Sequence, residues 1–282
     1  MTQAPSSVTS PIPTELLAEW DIAYEEARAR ILDGARDHGA LPATVEYISA
    51  MRFYIRSPFP LTLWVPDPTV RMELTCDLAM HIVGMKLLDD LIDGDNDVDR
   101  YDLGGCLLLQ HRAVRGLTAR AQEPRHILEV LDDEFVTIGV GTHRSRSEPA
   151  QNLAQWRDRA EAYGSAFLGC YGTLAAIAGG VPEAIGPANL LGRRLGMIVT
   201  IADDLTDYYR NGQRTGNLGH LIKTDQVTTT EVAELVEEMR SSAAGLLRES
   251  PPVYDVTPVV DLYADDVVTR ILAGYAAQAD SR

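Results

Sequence analysis

Two short acidic strings, Asp89-Asp90-Leu91-Ile92-Asp93 and Asp203-Asp204-Leu205-Thr206-Asp207, hold the residues of this chain best suited to chemistry. Each follows an apolar run, Met80 to Leu88 and Leu195 to Ala202, that reads as helix. Residues four apart share a helical face, with Cβ atoms about 6 Å apart, so Asp89 and Asp93 can bridge one cation. Asp203 and Asp207 repeat that arrangement, and Asn211 adds one more oxygen donor a turn later. Mg²⁺ takes oxygen ligands and is usually held by one or two carboxylates together with substrate phosphate oxygens. Clustered aspartates without His or Cys therefore point to magnesium and a diphosphate. One such string could be a solvated helix end in a chain with 41 Asp and Glu, but two with the same spacing and the same DDLxD wording argue for function. Carboxylates at a helix C-terminus oppose the helix dipole, which a bound cation would offset.

A diphosphate also needs positive partners. Lys86 stands one turn before Asp90; Arg210 and Arg214 follow the second motif at a four-residue spacing. Arg157 and Arg159 open the helix ahead of that motif, and Arg52 and Arg56 form an i, i+4 pair. Guanidinium matches phosphate oxygens well, so Lys86, Arg159, Arg210, Arg214, Arg52 and Arg56 are the candidate phosphate contacts. Surface ion pairing is the competing reading for each arginine.

The elements that must position these residues are helical throughout. Apolar residues recur at helical spacing, alternating β-branched segments are scarce, and no repeat or linker divides the chain. The expectation is one all-α domain over residues 14–282 behind a disordered, Ser/Thr/Pro-rich tail of residues 1–13. About nine helices are predicted, including one near residues 43–56, one near 125–140 and one unbroken from 152 to 178. They form a bundle around a central cavity with the acidic motifs facing each other.

A net charge of −16 and a pI near 4.7 argue against nucleic acid, which needs a basic surface. Cys76, Cys106 and Cys170 lack CxxC spacing and read as reduced thiols of a cytoplasmic protein. No signal peptide and no run of about 20 apolar residues is present. If a lipid-like substrate is met at a membrane surface, Phe59 to Val65 is the segment for peripheral contact, with a packed turn as the alternative.

On these residues the chain resembles the superfamily of trans-prenyl diphosphate synthases and class I terpenoid enzymes. Three longer strings, Met85 to Asp93, Tyr163 to Gly169, and Ala202 to Asn211 with Gly216-Asn217-Leu218, resemble a narrower group, the moenomycin-type prenyltransferases. The chain-elongating synthases carry a Gly-Gly-Lys-x-x-Arg-Pro element upstream and an Arg-Arg pair after the first motif. Here the first is missing and Arg100 stands alone, so an isopentenyl diphosphate site is not expected. Thr200 replaces the usual Gln, and Tyr163-Gly164 stands where the synthases have Lys-Thr.

The resemblance implies a homodimer in which Asp89, Asp90, Asp93, Asp203, Asp204 and Asp207 hold Mg²⁺ and the leaving diphosphate. It further implies transfer of a geranyl group from geranyl diphosphate onto the farnesyl chain of a prenylated phosphoglycerate lipid, giving an irregular C25 chain. Tyr163, Tyr171, Tyr208 and Tyr209 are candidate aromatic faces for the allylic cation. A terpene cyclase acting on one prenyl diphosphate, and a non-catalytic prenyl-lipid binding subunit, are the alternatives.

Overall fold

The computed structural model describes residues 12–93, 102–211 and 216–275. Twelve α-helices run through these residues, with no strand among them. In order they are α1 (Thr14–His38), α2 (Pro42–Ala50), α3 (Arg52–Arg56), α4 (Pro68–Asp93), α5 (Leu103–Arg120), α6 (Pro124–Ser147), α7 (Leu153–Ala160), α8 (Ala166–Ala178), α9 (Ile185–Asn211), α10 (Leu218–Lys223), α11 (Thr229–Glu249) and α12 (Thr257–Asp265). Punctuation residues set the ends. Gly39, at φ 82°, closes α1 in the left-handed conformation that favours glycine. Pro42 and Pro124 start α2 and α6, where a missing N–H costs nothing. Thr228 and Glu231 form a reciprocal capping box at α11. The expected tail of residues 1–13 lies outside the described residues apart from Ile12 and Pro13.

Several elements differ from the sequence expectation, among them a short α10 and a π-helical segment, Asp266–Leu272, after α12. The helix expected over residues 43–56 is broken at Met51 (φ −74°, ψ 45°), whose amide closes back on the Ile48 carbonyl. The break gives α2 and α3 separate directions, so their side chains reach different neighbours. The helix expected from 152 to 178 is interrupted by a π-helical segment, Glu161–Ser165. Its wider turn lets the chain change register midway. In addition, α6 continues to Ser147, well past residue 140.

Two buried apolar clusters fill the molecule. One joins α8, α9 and α11 with the ends of α1 and α4; the other joins α1 to α5 around Ile31, Ile55, Val83 and Leu109. Both acid-bearing helices touch α8, α9 along most of its length and α4 more sparingly. The α8–α9 seam is close because small residues line it. At Gly164 an added Cβ would overlap the Thr200 hydroxyl, and at Gly172 it would overlap the Ala188 carbonyl. Thr200 in turn donates to the Gly196 carbonyl at 2.8 Å.

The segment from Phe59 to Val65 is a packed turn. Phe59, Leu61, Leu63 and Val65 are buried, and Trp64 donates to the Ser250 carbonyl at 3.1 Å. Burying each large apolar side chain here contributes roughly 1.5–3 kcal/mol, so the segment faces the core and offers no lipid-facing patch. No described helix is long and apolar enough to cross a membrane. The three cysteines are free and buried, as expected.

Candidate active site

The first acidic motif ends α4 and the second lies in the last third of α9. Within each, the first two aspartates have different surroundings. Asp89 has a side chain 51% exposed, whereas that of Asp90 is 1% exposed. Asp90 Oδ2 accepts from the Tyr47 hydroxyl at 2.6 Å, and Asp90 Oδ1 pairs with Lys86 Nζ at 2.8 Å. Both oxygens of this buried carboxylate are thus engaged. Lys86 Nζ also reaches Asp89 Oδ2 at 3.0 Å.

The second motif follows the same division. Asp203 is exposed. Asp204 Oδ2 accepts from the Trp156 indole N–H at 2.7 Å and from the Leu218 backbone amide at 3.0 Å. Asp204 therefore ties α9 to α7 and to the start of α10. The Tyr275 hydroxyl donates to the Leu205 carbonyl, fixing the chain's last described turn onto the same helix.

Electrostatics link the motifs. Burial, then the negative charge of Asp203 and Asp90, holds the Tyr54 phenol above its ordinary pKa, with Lys86 acting in the opposite sense. Tyr47 is raised chiefly by burial, then by its bond to Asp90, and it also feels Lys86 and Asp203. Tyr47 is thereby tied to the first motif, through its hydrogen bond to Asp90. Burial opposes the charge of Lys86, but Tyr54, Asp89 and Asp90 outweigh it and raise the pKa. Lys86 is therefore charged, and Tyr47 and Tyr54 are protonated, at neutral pH.

Among the other expected contacts, Arg56, the last residue of α3, packs against α1. It pairs with Asp21, and its guanidinium stacks 5.1 Å from the Trp20 ring and 5.2 Å from that of Tyr24. Its backbone carbonyl accepts from the Trp20 indole at 2.9 Å. Arg52 is exposed and Arg159 half-buried. Arg157 is bound by Glu238 and Glu161. Asp93, Asp207, Arg210 and Asn211 lie on their helices with side chains outside those described, and Arg214 lies outside the described residues. Of the aromatic candidates, Tyr171 is buried and shares a 2.8 Å hydrogen bond with His81 Nδ1, two turns ahead of Asp89 on α4. Tyr163 lies in the π-helical segment; Tyr208 and Tyr209 have side chains outside those described.

Asp89 and Asp203 are exposed oxygen donors and so fit a hard cation such as Mg²⁺. Among the described residues no group of three or more His, Cys, Asp or Glu is gathered to hold a metal. The remaining donors of the expected set, Asp93, Asp207 and Asn211, fall beyond that description. Two open surface grooves, of about 550 and 710 Å³, lie elsewhere: between α1 and α2 beside Arg28 and Arg36, and along α1, α4 and α5 beside Arg30 and Arg120. Neither is lined by a motif residue.

No family profile and no curated protein matches the sequence. Solved structures do. The heptaprenyl diphosphate synthase from Staphylococcus aureus superposes with a TM-score of 0.66 at 14% identity, covering 89% of this chain and 98% of its own. The fold is that of the prenyl diphosphate synthases. A polyprenyl synthase from Roseobacter denitrificans gives 0.63 at 16% identity over 92% and 100% of the two chains. A geranyltransferase from Helicobacter pylori gives 0.62 at 14% over 93% and 100%. The prenyl-synthase fold accounts for the all-helical architecture.

Tyr47 and Tyr54 were not legible as site residues: Asp90 lies 43 residues from Tyr47, and no spacing in the sequence marks either tyrosine. The contact of the Leu218 amide with Asp204 was hidden too, because a backbone donor has no side-chain signature.

Proposed function

We propose that this chain is a Mg²⁺-dependent prenyltransferase that moves a geranyl group from geranyl diphosphate onto the farnesyl chain of a phosphoglycerate-linked (glyco)lipid, giving the irregular C25 chain of a moenomycin-type phosphoglycolipid. One observation carries it: each acidic motif presents an exposed aspartate, Asp89 or Asp203, beside one held by fixed donors, Asp90 or Asp204. Exposed carboxylates on two helices, α4 and α9, suit a polyanion held through bridging cations. The structural neighbours named above are all prenyl-chain enzymes, which agrees with a prenyl diphosphate donor.

In this reading Asp89, Asp93, Asp203 and Asp207, with Asn211, would hold Mg²⁺, which when bound supplies positive charge to the departing diphosphate. Asp90 and Asp204 act through position, since their described contacts are with Tyr47, Lys86, Trp156 and Leu218. Lys86 adds a fixed positive charge beside the leaving group, and Arg52, Arg159, Arg210 and Arg214 are available to the two anionic substrates. Arg56 is assigned to the α1 contact instead.

The chemistry asks little more of the protein. The C1–O bond of geranyl diphosphate breaks and its electron pair leaves with diphosphate. An alkene of the farnesyl chain gives its π electrons to C1, forming the new C–C bond. Loss of one proton, to the departing diphosphate, restores an alkene. The packed apolar residues of α4, α8 and α9 would keep water from the cation, and Tyr171 on α8 would offer it an aromatic face.

Diphosphate release from geranyl diphosphate tests this. Release that requires both Mg²⁺ and the prenylated phosphoglycerate is expected. Release from geranyl diphosphate alone, with a hydrocarbon product, would assign a cyclase.

A further inference from the structure

The chain's three tryptophans use their indole N–H groups differently. Trp20 and Trp64 donate to backbone carbonyls, of Arg56 and Ser250. Trp156 donates to a carboxylate of the second acidic motif, Asp204, at 2.7 Å. The indole is 3% exposed, so this charged hydrogen bond is shielded from water. The same oxygen, Asp204 Oδ2, takes the Leu218 amide at 3.0 Å, where α10 begins. Upstream of Leu218, Gly216 (φ 87°) is pressed against Pro149 and Ala150, so the entry to α10 has little room to move. One carboxylate thus joins α7, α9 and α10, one residue from the exposed Asp203.

We propose that Trp156 is the positioning residue of the second acidic motif: with the Leu218 amide it fixes Asp204 and thereby the orientation in which Asp203 meets a Mg²⁺–diphosphate pair. The inference rests on the prenyl-transfer reading and deepens it, since a Mg²⁺–diphosphate pair drawn to Asp203 loads the helical turn that the indole holds through Asp204. The state of that N–H therefore reports occupancy of the motif.

The test uses the full chain with Mg²⁺ and inorganic diphosphate, read by calorimetry and by the indole N–H band in ultraviolet resonance Raman spectra. Wild type should bind and shift the N–H band. Trp156→Phe should retain its helical circular dichroism, lack the shift and bind about tenfold more weakly, the usual scale for losing one charge-assisted hydrogen bond. Adding Asp204→Asn to Trp156→Phe should weaken binding by less than the sum of the two single effects, because both act through one contact. Equal affinity in wild type and Trp156→Phe, or strict additivity, overturns the inference and leaves prenyl transfer standing. If Trp156→Phe does not fold, the wild-type spectrum decides: an N–H band unmoved at saturating diphosphate overturns the inference. Failure of wild type to bind Mg²⁺ and diphosphate overturns both.

Discussion

The Tyr47 hydroxyl donates to Asp90 Oδ2 at 2.6 Å, across 43 residues of sequence, from α2 to the end of α4. That contact, with the Lys86 pair on the other oxygen, makes Asp90 the anchor of its motif and leaves Asp89 facing out. The two carboxylates should therefore fail differently. Asp89→Asn should lower kcat by roughly 10²–10³, the scale for losing one electrostatic stabiliser of a developing charge, with the thermal midpoint unchanged. Asp90→Asn should also cost stability, about 2–3 kcal/mol, because Lys86 loses its buried partner while remaining partly solvated. Steady-state kinetics and urea unfolding on both variants separate the roles; equal midpoints would refute the division.

Gly164 and Thr200, read with Tyr163 as departures from the chain-elongating pattern, are spatial neighbours. A methyl group at 164 would meet the Thr200 hydroxyl. Gly164→Ala should destabilise by about 1–3 kcal/mol, the range for overpacking a tight seam. Thr200→Ala should relieve much of that in the double variant. A denaturant double-mutant cycle showing simple additivity would contradict this pairing.

His81 is buried against Tyr171, and burial holds its pKa down to about 4, from an ordinary 6.5. Between those values the unfolded chain binds a proton that the folded chain excludes. Stability therefore falls as pH drops through 6.5 towards 4, and the contribution is fully present above 6.5. At ~1.36 kcal/mol per pH unit the loss reaches about 3 kcal/mol. His81→Gln retains a partner for the Tyr171 hydroxyl but cannot take up this proton. Its unfolding free energy should fall less steeply than that of wild type from pH 6.5 to 4.5, and parallel curves would refute the burial argument.

Arg56, read from the sequence as a phosphate contact, is held by Asp21, Trp20 and Tyr24. Arg56→Gln should lower the unfolding midpoint through the α1–α3 contact while leaving the KM for geranyl diphosphate within about twofold of wild type, since binding arginines normally cost 2–5 kcal/mol when removed. A KM raised tenfold or more at an unchanged midpoint would return Arg56 to the site.

These cases show what the sequence could convey. The acidic motifs and the helices bearing them were legible because spacing within a helix is local: residues 89 and 93 share a face whatever surrounds them. The helical class was legible for the same reason. The break at Met51 was not, because nothing in Ile48 to Arg56 marks it; α2 and α3 are held apart by Tyr47 on Asp90 and Arg56 on α1, both tertiary contacts. The π-helical segment Glu161–Ser165 was likewise hidden, since it accompanies the close approach of Gly164 to α9. The short α10 is a turn and a half whose start is tied to Asp204, a partner 14 residues back. The anchor roles of Asp90 and Asp204 also needed three dimensions, because a carboxylate's second donor comes from another helix.

As proposed, one chain joins two prenyl groups by the use of both acidic motifs. The decisive experiment is mass spectrometry of the lipids formed by purified protein with Mg²⁺ and geranyl diphosphate, with and without farnesyl phosphoglycerate. A phosphoglycerate lipid carrying a C25 chain, formed only when the acceptor is present and lost in Asp89→Asn and Asp203→Asn, is the predicted result. A volatile terpene formed without the acceptor, or a C25 lipid formed undiminished by both variants, would contradict it.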